Sequence, residues 1–185
     1  MATTYETVRQ IMAEIDRVLS QVDEAELDAL VEAILQARQI IVYGLGREGL
    51  VMRGLAMRLM HLGLDVAVVG DMTTPPLGSG DLFLVSCGPG YLATVEALVK
   101  VARKAGGRVA MITAQPAATL PQQADLRVYL PAQTMAEAEQ SSSTQAMGSA
   151  FEQAMWLLFD ALIPRLQAAL GQTAADLRQR HTNME

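Results

Sequence analysis

Twice in this chain a short apolar run ends in a glycine-rich turn and passes into a segment of helical spacing. Ile40-Ile41-Val42-Tyr43 leads into Gly44-Leu45-Gly46-Arg47-Glu48-Gly49, and Leu82-Phe83-Leu84-Val85 leads into Ser86-Cys87-Gly88-Pro89-Gly90. Glycine at a strand-to-helix turn permits positive φ and the close approach of a ligand. The helix that follows points its free N–H groups and positive dipole end into that space. Two such turns in one small sheet point to a compact anionic ligand held at the sheet's carboxyl edge.

The rest of the chain fits the same plan. Apolar residues recur at three- and four-residue steps in Thr3 to Ser20 (Ile11, Ile15, Val18) and in Glu24 to Ala37 (Leu27, Leu30, Val31, Ile34), which predicts two amphipathic helices. Asp23 is placed to cap the second, ahead of an acidic first turn. Strands are then expected over 39–43, 65–69, 82–86, 108–113 and 126–130, and helices over 49–62 and 92–105, with a short helical stretch around Leu120. Valine-rich runs such as Val66-Ala67-Val68-Val69 suit strands buried on both faces. The alternation predicts a doubly wound, mostly parallel α/β sheet.

Pro131 to Met147, rich in Gln, Ser, Thr and Ala, breaks the pattern and reads as a long loop near the ligand edge. A long apolar helix is expected over 148–170, kinked or interrupted at Pro164, with a polar tail from Asp176. No repeat or linker marks a second domain. Residues 1–185 therefore read as one domain: N-terminal helices to 38, an α/β core over 39–131, the loop over 132–147, and a C-terminal helix and tail over 148–185.

With 51% hydrophobic and 18% charged residues, the chain can bury a sizeable core and is expected to be ordered. A net charge of −6 without a lysine or arginine run counts against nucleic acid or an anionic membrane as partner. Met1 to Gln10 hold no apolar signal core, and no apolar run approaches the roughly 20 residues of a membrane span. The single cysteine excludes an internal disulfide, and with two histidines it makes a poor metal set. These features lead us to expect a cytoplasmic domain without a structural metal.

Several residues are candidates for chemistry. The triplet Gly44, Gly46, Gly49 superficially resembles a dinucleotide fingerprint, but no acidic ribose-binding residue ends the next strand. Neither turn carries the lysine of a phosphate-binding P-loop. His61, at the end of a predicted helix, is either a residue favoured by the dipole or a general acid/base. Glu152 lies in an apolar helix, either paired or facing solvent, or partly buried with the raised pKa that suits proton abstraction. Position alone would leave His181 as disordered surface. Cys87 reads as a small residue in a tight turn, since no base motif accompanies it.

Taken in order, Gly44-Leu45-Gly46-Arg47, Ala56-Met57-Arg58-Leu59-Met60-His61-Leu62-Gly63, Thr73-Thr74-Pro75-Pro76, Gly80-Asp81-Leu82, Met147-Gly148-Ser149, Phe151-Glu152-Gln153 and the closing His181-Thr182-Asn183-Met184-Glu185 resemble the 6-phospho-3-hexuloisomerases of the sugar isomerase (SIS) family. The resemblance implies a five-stranded parallel sheet of flavodoxin-like type, a homotetramer, and active sites at subunit interfaces that would order the tail. It implies transfer of a carbonyl from C3 to C2 of a ketohexose 6-phosphate through an enediol, without metal or organic cofactor. Glu152 would then be the base and His181 the acid/base on the oxygen side, with His61 as the substitute.

Departures from the family pattern fall in both glycine turns. Where the family has G-R-S-G, this chain has Gly46-Arg47-Glu48-Gly49, and where it has S-G-S-G-E-T, this chain has Ser86-Cys87-Gly88-Pro89-Gly90-Tyr91. Most of the hydroxyls that hold phosphate are thus replaced, and a Glu48 carboxylate facing a dianion would repel it unless Arg47 or Arg53 paired with it. Backbone amides of Gly88 and of Gly90 to Leu92, with the Thr94 hydroxyl, remain as anion donors. The expected ligand-binding set is Gly46, Arg47, Glu48, Ser86, Cys87, Gly88, Gly90, Tyr91 and Thr94. Three functions stay open: a phosphosugar isomerase, an isomerase for a differently charged or unphosphorylated sugar, and a module that senses sugar phosphates without turnover.

Overall fold

Five segments form strands: β1 (Ile40–Tyr43), β2 (Val66–Val68), β3 (Leu82–Ser86), β4 (Arg108–Thr113) and β5 (Leu126–Tyr129). All pair in parallel, in the order β2-β1-β3-β4-β5. The computed structural model describes residues 2–137 and 143–184. Its helices are α1 (Thr4–Leu19), α2 (Glu24–Gln36), α3 (Gly46–His61), α4 (Ala93–Lys104), α5 (Ser149–Ala169) and α6 (Ala174–Arg180).

Side chains of successive strand residues point to opposite faces. Ile40, Val42, Leu82, Leu84 and Ile112 enter the larger core with residues of α1, α2, α3 and α5. Ile41, Phe83, Val85, Val109 and Met111 enter the smaller one, with Val95, Val99 and Ala102 of α4. Both faces of β1, β3 and β4 are covered, which is why these read as apolar runs. The expectation of a strand buried on both faces fails for Val66–Val68: β2 lies at the sheet edge and is only half-buried, as β5 is at the other edge. From β1 the chain crosses outward to β2, then returns past β1 to β3 and continues to β4 and β5. This reversal leaves a crevice at the carboxyl ends of β1 and β3. Both glycine turns leave the sheet there.

Three helices also differ from expectation. α3 begins at Gly46, before the expected Gly49, because the first helical residues need no intrahelical N–H bond and so tolerate glycine. α5 runs through Pro164 without interruption. Pro164 sits on the exposed side beside exposed Asp160, so the carbonyl deprived of its donor faces water, while Leu158, Phe159, Leu162, Ile163 and Leu166 hold the other side in the core. The polar tail contains α6, started by a reciprocal capping box between Thr173 and Asp176. Within the expected loop, Met135–Glu137 forms a short 3-10 turn, and residues 138–142 lie outside the described residues. No helix among the described residues is long and apolar enough to cross a membrane.

Thr173→Ala removes this capping box at a cost of about 1 kcal/mol, concentrated in a helix of only seven residues. Faster amide exchange in α6, with the exchange of α3 unchanged, is the expected result by hydrogen-exchange mass spectrometry.

Candidate active site

Tyr43 of β1 and Val85 of β3 are paired, so the two turns that follow lie side by side. A Cβ on Gly44 would lie 2.6 Å from Ser86 Oγ, and one on Gly49 would lie 2.5 Å from the Gly44 carbonyl oxygen. No larger residue fits at either position, and this close approach is what the first turn's glycines permit.

From these turns, and from Gly148 at φ +79°, start α3, α4 and α5. Their first turns line one cavity of about 440 Å3, through Gly46, Glu48, Leu92, Gly148 and Glu152, with Thr134 and Met135 on the remaining wall. None of the three N-termini has a side-chain cap, whereas α1, α2 and α6 are capped by Thr3, Asp23 and Thr173. Three uncapped helix ends converging on one space make it a site for negative charge. A larger cleft of about 650 Å3, lined by Glu14, Arg17 and Gln133 among others, includes no residue of either glycine turn.

Two carboxylates share the cavity. Glu152 is paired with Arg47 at 3.0 Å and only 18% of its side chain is exposed. Arg47 also donates to the Met147 carbonyl (2.8 Å) and to Ser149 Oγ (3.1 Å), which holds the guanidinium against the start of α5. Burial pushes Glu152 above the usual carboxylate range, and the charge and hydrogen bond of Arg47 pull it part of the way back. Glu48 reaches across to the second turn, where its Oε2 accepts the Gly88 N–H at 3.2 Å. Burial raises its pKa too, opposed by the Ser86 hydroxyl and the Gly88 amide and reinforced by the charge of Glu152. Ser86 Oγ, though close to Glu48, is buried and makes no hydrogen bond of ordinary geometry; the same holds for Thr134 Oγ1.

A model of the SIS domain matches residues 33–157, more than half of the chain. The chain belongs to the SIS domain family. It is 35% identical to the 3-hexulose-6-phosphate isomerase of Bacillus subtilis over 98% of this chain and 99% of that protein. It is 38% identical to the Mycobacterium gastri protein of the same name, over 93% of this chain and 86% of that one. The crystal structure of a Methanococcus jannaschii protein, described as inferring a function of 3-hexulose-6-phosphate isomerase, superposes with a TM-score of 0.84 at 28% identity, covering 97% of this chain and 99% of that chain.

Within this SIS domain the expected site residues separate into groups. Gly46, Arg47, Glu48 and Glu152 line the cavity, and Gly88 contributes its amide through Glu48. The Gly90 N–H is committed to the Cys87 carbonyl inside the turn. Tyr91 is exposed and its hydroxyl meets Glu96, and Thr94 is exposed outside the cavity lining. No sequence signal marks Thr134, and Ser149 enters only as part of the Met147-Gly148-Ser149 string, with no role of its own. Both lie in or just after a stretch without periodicity, and only folding brings them to the site.

His61 and His181 meet each other, with ring centroids 5.2 Å apart and planes 24° from parallel. Arg180 reinforces the contact by donating to the His61 carbonyl at 3.0 Å. Glu48 is near the start of α3 and His61 at its end, so the histidine pair is about 20 Å from the carboxylates. A single chain does not unite the pair with Glu152. Among the described residues no group of three or more His, Cys, Asp or Glu side chains is arranged to hold a metal.

Cys87 is fully buried and its pKa is pushed up to about 12, first by burial and then by the charge of Glu48. At about pH 8 it is therefore a thiol. We expect one thiol equivalent to react with Ellman's reagent in denaturant and essentially none in the native protein within the same time.

Proposed function

We propose that the protein is a sugar isomerase that moves a carbonyl between C3 and C2 of a ketohexose, with the 6-phosphate named in its relatives as the first substrate to consider. The observation that carries this reading is Glu152: a partly buried carboxylate with a raised pKa at the convergence of three helix N-termini. Such a group can take a proton from carbon near neutral pH. Carbanion character formed next to a carbonyl passes to oxygen, where uncapped N–H groups and positive dipole ends favour negative charge.

In the 3-ketose, the Glu152 carboxylate takes the proton on C2. The C–H electron pair becomes the C2–C3 double bond, and the C3 carbonyl oxygen accepts a proton. The enediol then gives up the proton on O2, the C2 carbonyl forms, and C3 takes back the proton held by Glu152. The acid/base at the two oxygens is assigned to His181, with His61 as the substitute. One chain holds both far from its own Glu152, so a neighbouring subunit must supply them. A homotetramer in the cytoplasm is the assembly we assign; exposed Met12, Met57, Trp156 and Leu157 provide apolar surface for subunit contacts.

The test is conversion of 3-hexulose 6-phosphate in deuterium oxide, with fructose 6-phosphate detected by a coupled assay and the label located by NMR. Deuterium at C3 of the product is expected. No turnover of any phosphorylated or unphosphorylated ketohexose would refute the assignment and leave ligand sensing. Mixing Glu152→Gln with His181→Ala subunits tests the sharing of sites: activity returns in mixed oligomers if the histidine comes from a neighbour.

A further inference from the structure

The three uncapped N-termini around the cavity call for negative charge, and the protein supplies one of its own. Glu48, in the first turn of α3, extends to the second glycine turn and accepts the Gly88 amide. A Cβ on Gly88 would lie 3.0 Å from Glu48 Oε1 and 3.0 Å from the Phe151 ring, so the space over this amide is already filled. Neither neighbouring arginine bonds this carboxylate: Arg47 is turned to Glu152, Met147 and Ser149, and Arg53 is paired with Asp71 at 3.0 Å. On the wall of the same cavity, the buried Thr134 Oγ1 lacks a hydrogen-bond partner. A seat with an anion in place and an unsatisfied hydroxyl on its wall is matched by a ligand bearing neutral hydroxyl groups.

We infer that Glu48 is a specificity-determining residue of this cavity, whose carboxylate occupies the anion seat so that a sugar ending in a hydroxyl is favoured over one ending in a phosphate dianion. The choice of a sugar as ligand rests on the isomerase reading. The lowered affinity for the dianion follows from Glu48 over the Gly88 amide, with Arg47 and Arg53 bonded elsewhere. Phosphate binds more readily when this carboxylate takes up a proton or swings aside. In the first case affinity for the phosphosugar rises as pH falls, because the neutral acid no longer repels the dianion. The titrating and charged groups facing Glu48 are Glu152 from α5, Arg47 from α3 and Cys87 after β3. These and the phosphate itself are retained in Glu48→Gln, which therefore isolates the charge of Glu48.

The experiment is calorimetric titration of the wild-type protein, Glu48→Gln and Glu48→Ser with inorganic phosphate, fructose 6-phosphate and fructose at about pH 8. Glutamine keeps the bulk of the side chain and removes its charge; serine also opens the seat. Both variants are expected to shift the preference for fructose 6-phosphate over fructose by about tenfold or more towards the phosphosugar. The wild-type preference is expected to move the same way when pH is lowered to about 5, and to move less in Glu48→Gln. Equal preference in all three proteins would overturn the inference, as would failure of every variant to bind phosphate. Glu48→Gln is nearly isosteric, so the test stands if Glu48→Ser folds poorly. Turnover plays no part in the readout, so a protein that isomerises nothing and still shows the shift would refute the enzyme reading alone.

Discussion

Glu152→Gln should lower turnover by about a thousandfold, within the range general-base catalysis contributes, while leaving the fold and sugar binding nearly unchanged. The amide matches the carboxylate in shape and cannot accept the carbon-bound proton. Arg47 keeps its bonds to the Met147 carbonyl and Ser149 Oγ, so the cavity wall stays in place. A loss in kcat with KM within a few-fold, and an unchanged melting temperature, would fit a base that touches the reacting carbon. The pH profile adds a second readout. The base works ionised, so kcat/KM falls as pH drops through the raised Glu152 pKa. Arg47 lowers that pKa, so Arg47→Gln should move this acidic limb to higher pH. An unmoved limb would mean that another group controls it.

Phe151→Ala should destabilise the domain by about 4 kcal/mol, a large part of the roughly 5–15 kcal/mol that holds most domains together. Phe151 is 1% exposed and its ring lies under Gly88, so its removal opens a cavity in the larger core beneath the second glycine turn. For a chain of this length the melting temperature should fall by roughly 8–16 °C. Phe151→Leu, which keeps most of the volume, should cost much less. Since Phe151 immediately precedes Glu152, the alanine variant should also lose activity below its melting transition. A shift of only a degree or two, measured by calorimetry, would show that the core closes over the gap.

The sheet was legible because its cause is local. Uninterrupted valine-, leucine- and isoleucine-rich runs form strands that must be covered on both faces, and β3 and β4 begin and end where the residue pattern places them. α6 was legible only in part: Thr173 and Asp176 form a capping box, but polar residues around them show no apolar stripe. Pro164 misled because its effect depends on which way it faces, and rotation about a helix axis is set by packing on the core.

The residues themselves determined a parallel α/β sheet with two glycine turns at its carboxyl edge and set Glu48 in the first of them, while Glu152 was marked as the base only by the family resemblance. Strand formation and tight turns depend on neighbours a few residues apart, so local sequence is enough for them. Tertiary structure alone decided that Glu48 would fill the seat over Gly88, that Arg47 would turn to Glu152, and that Thr134 would close the cavity. It alone paired His61 with His181 at the far end of α3. These contacts join residues about 40 to 120 positions apart, and their geometry follows from how helices pack on the sheet.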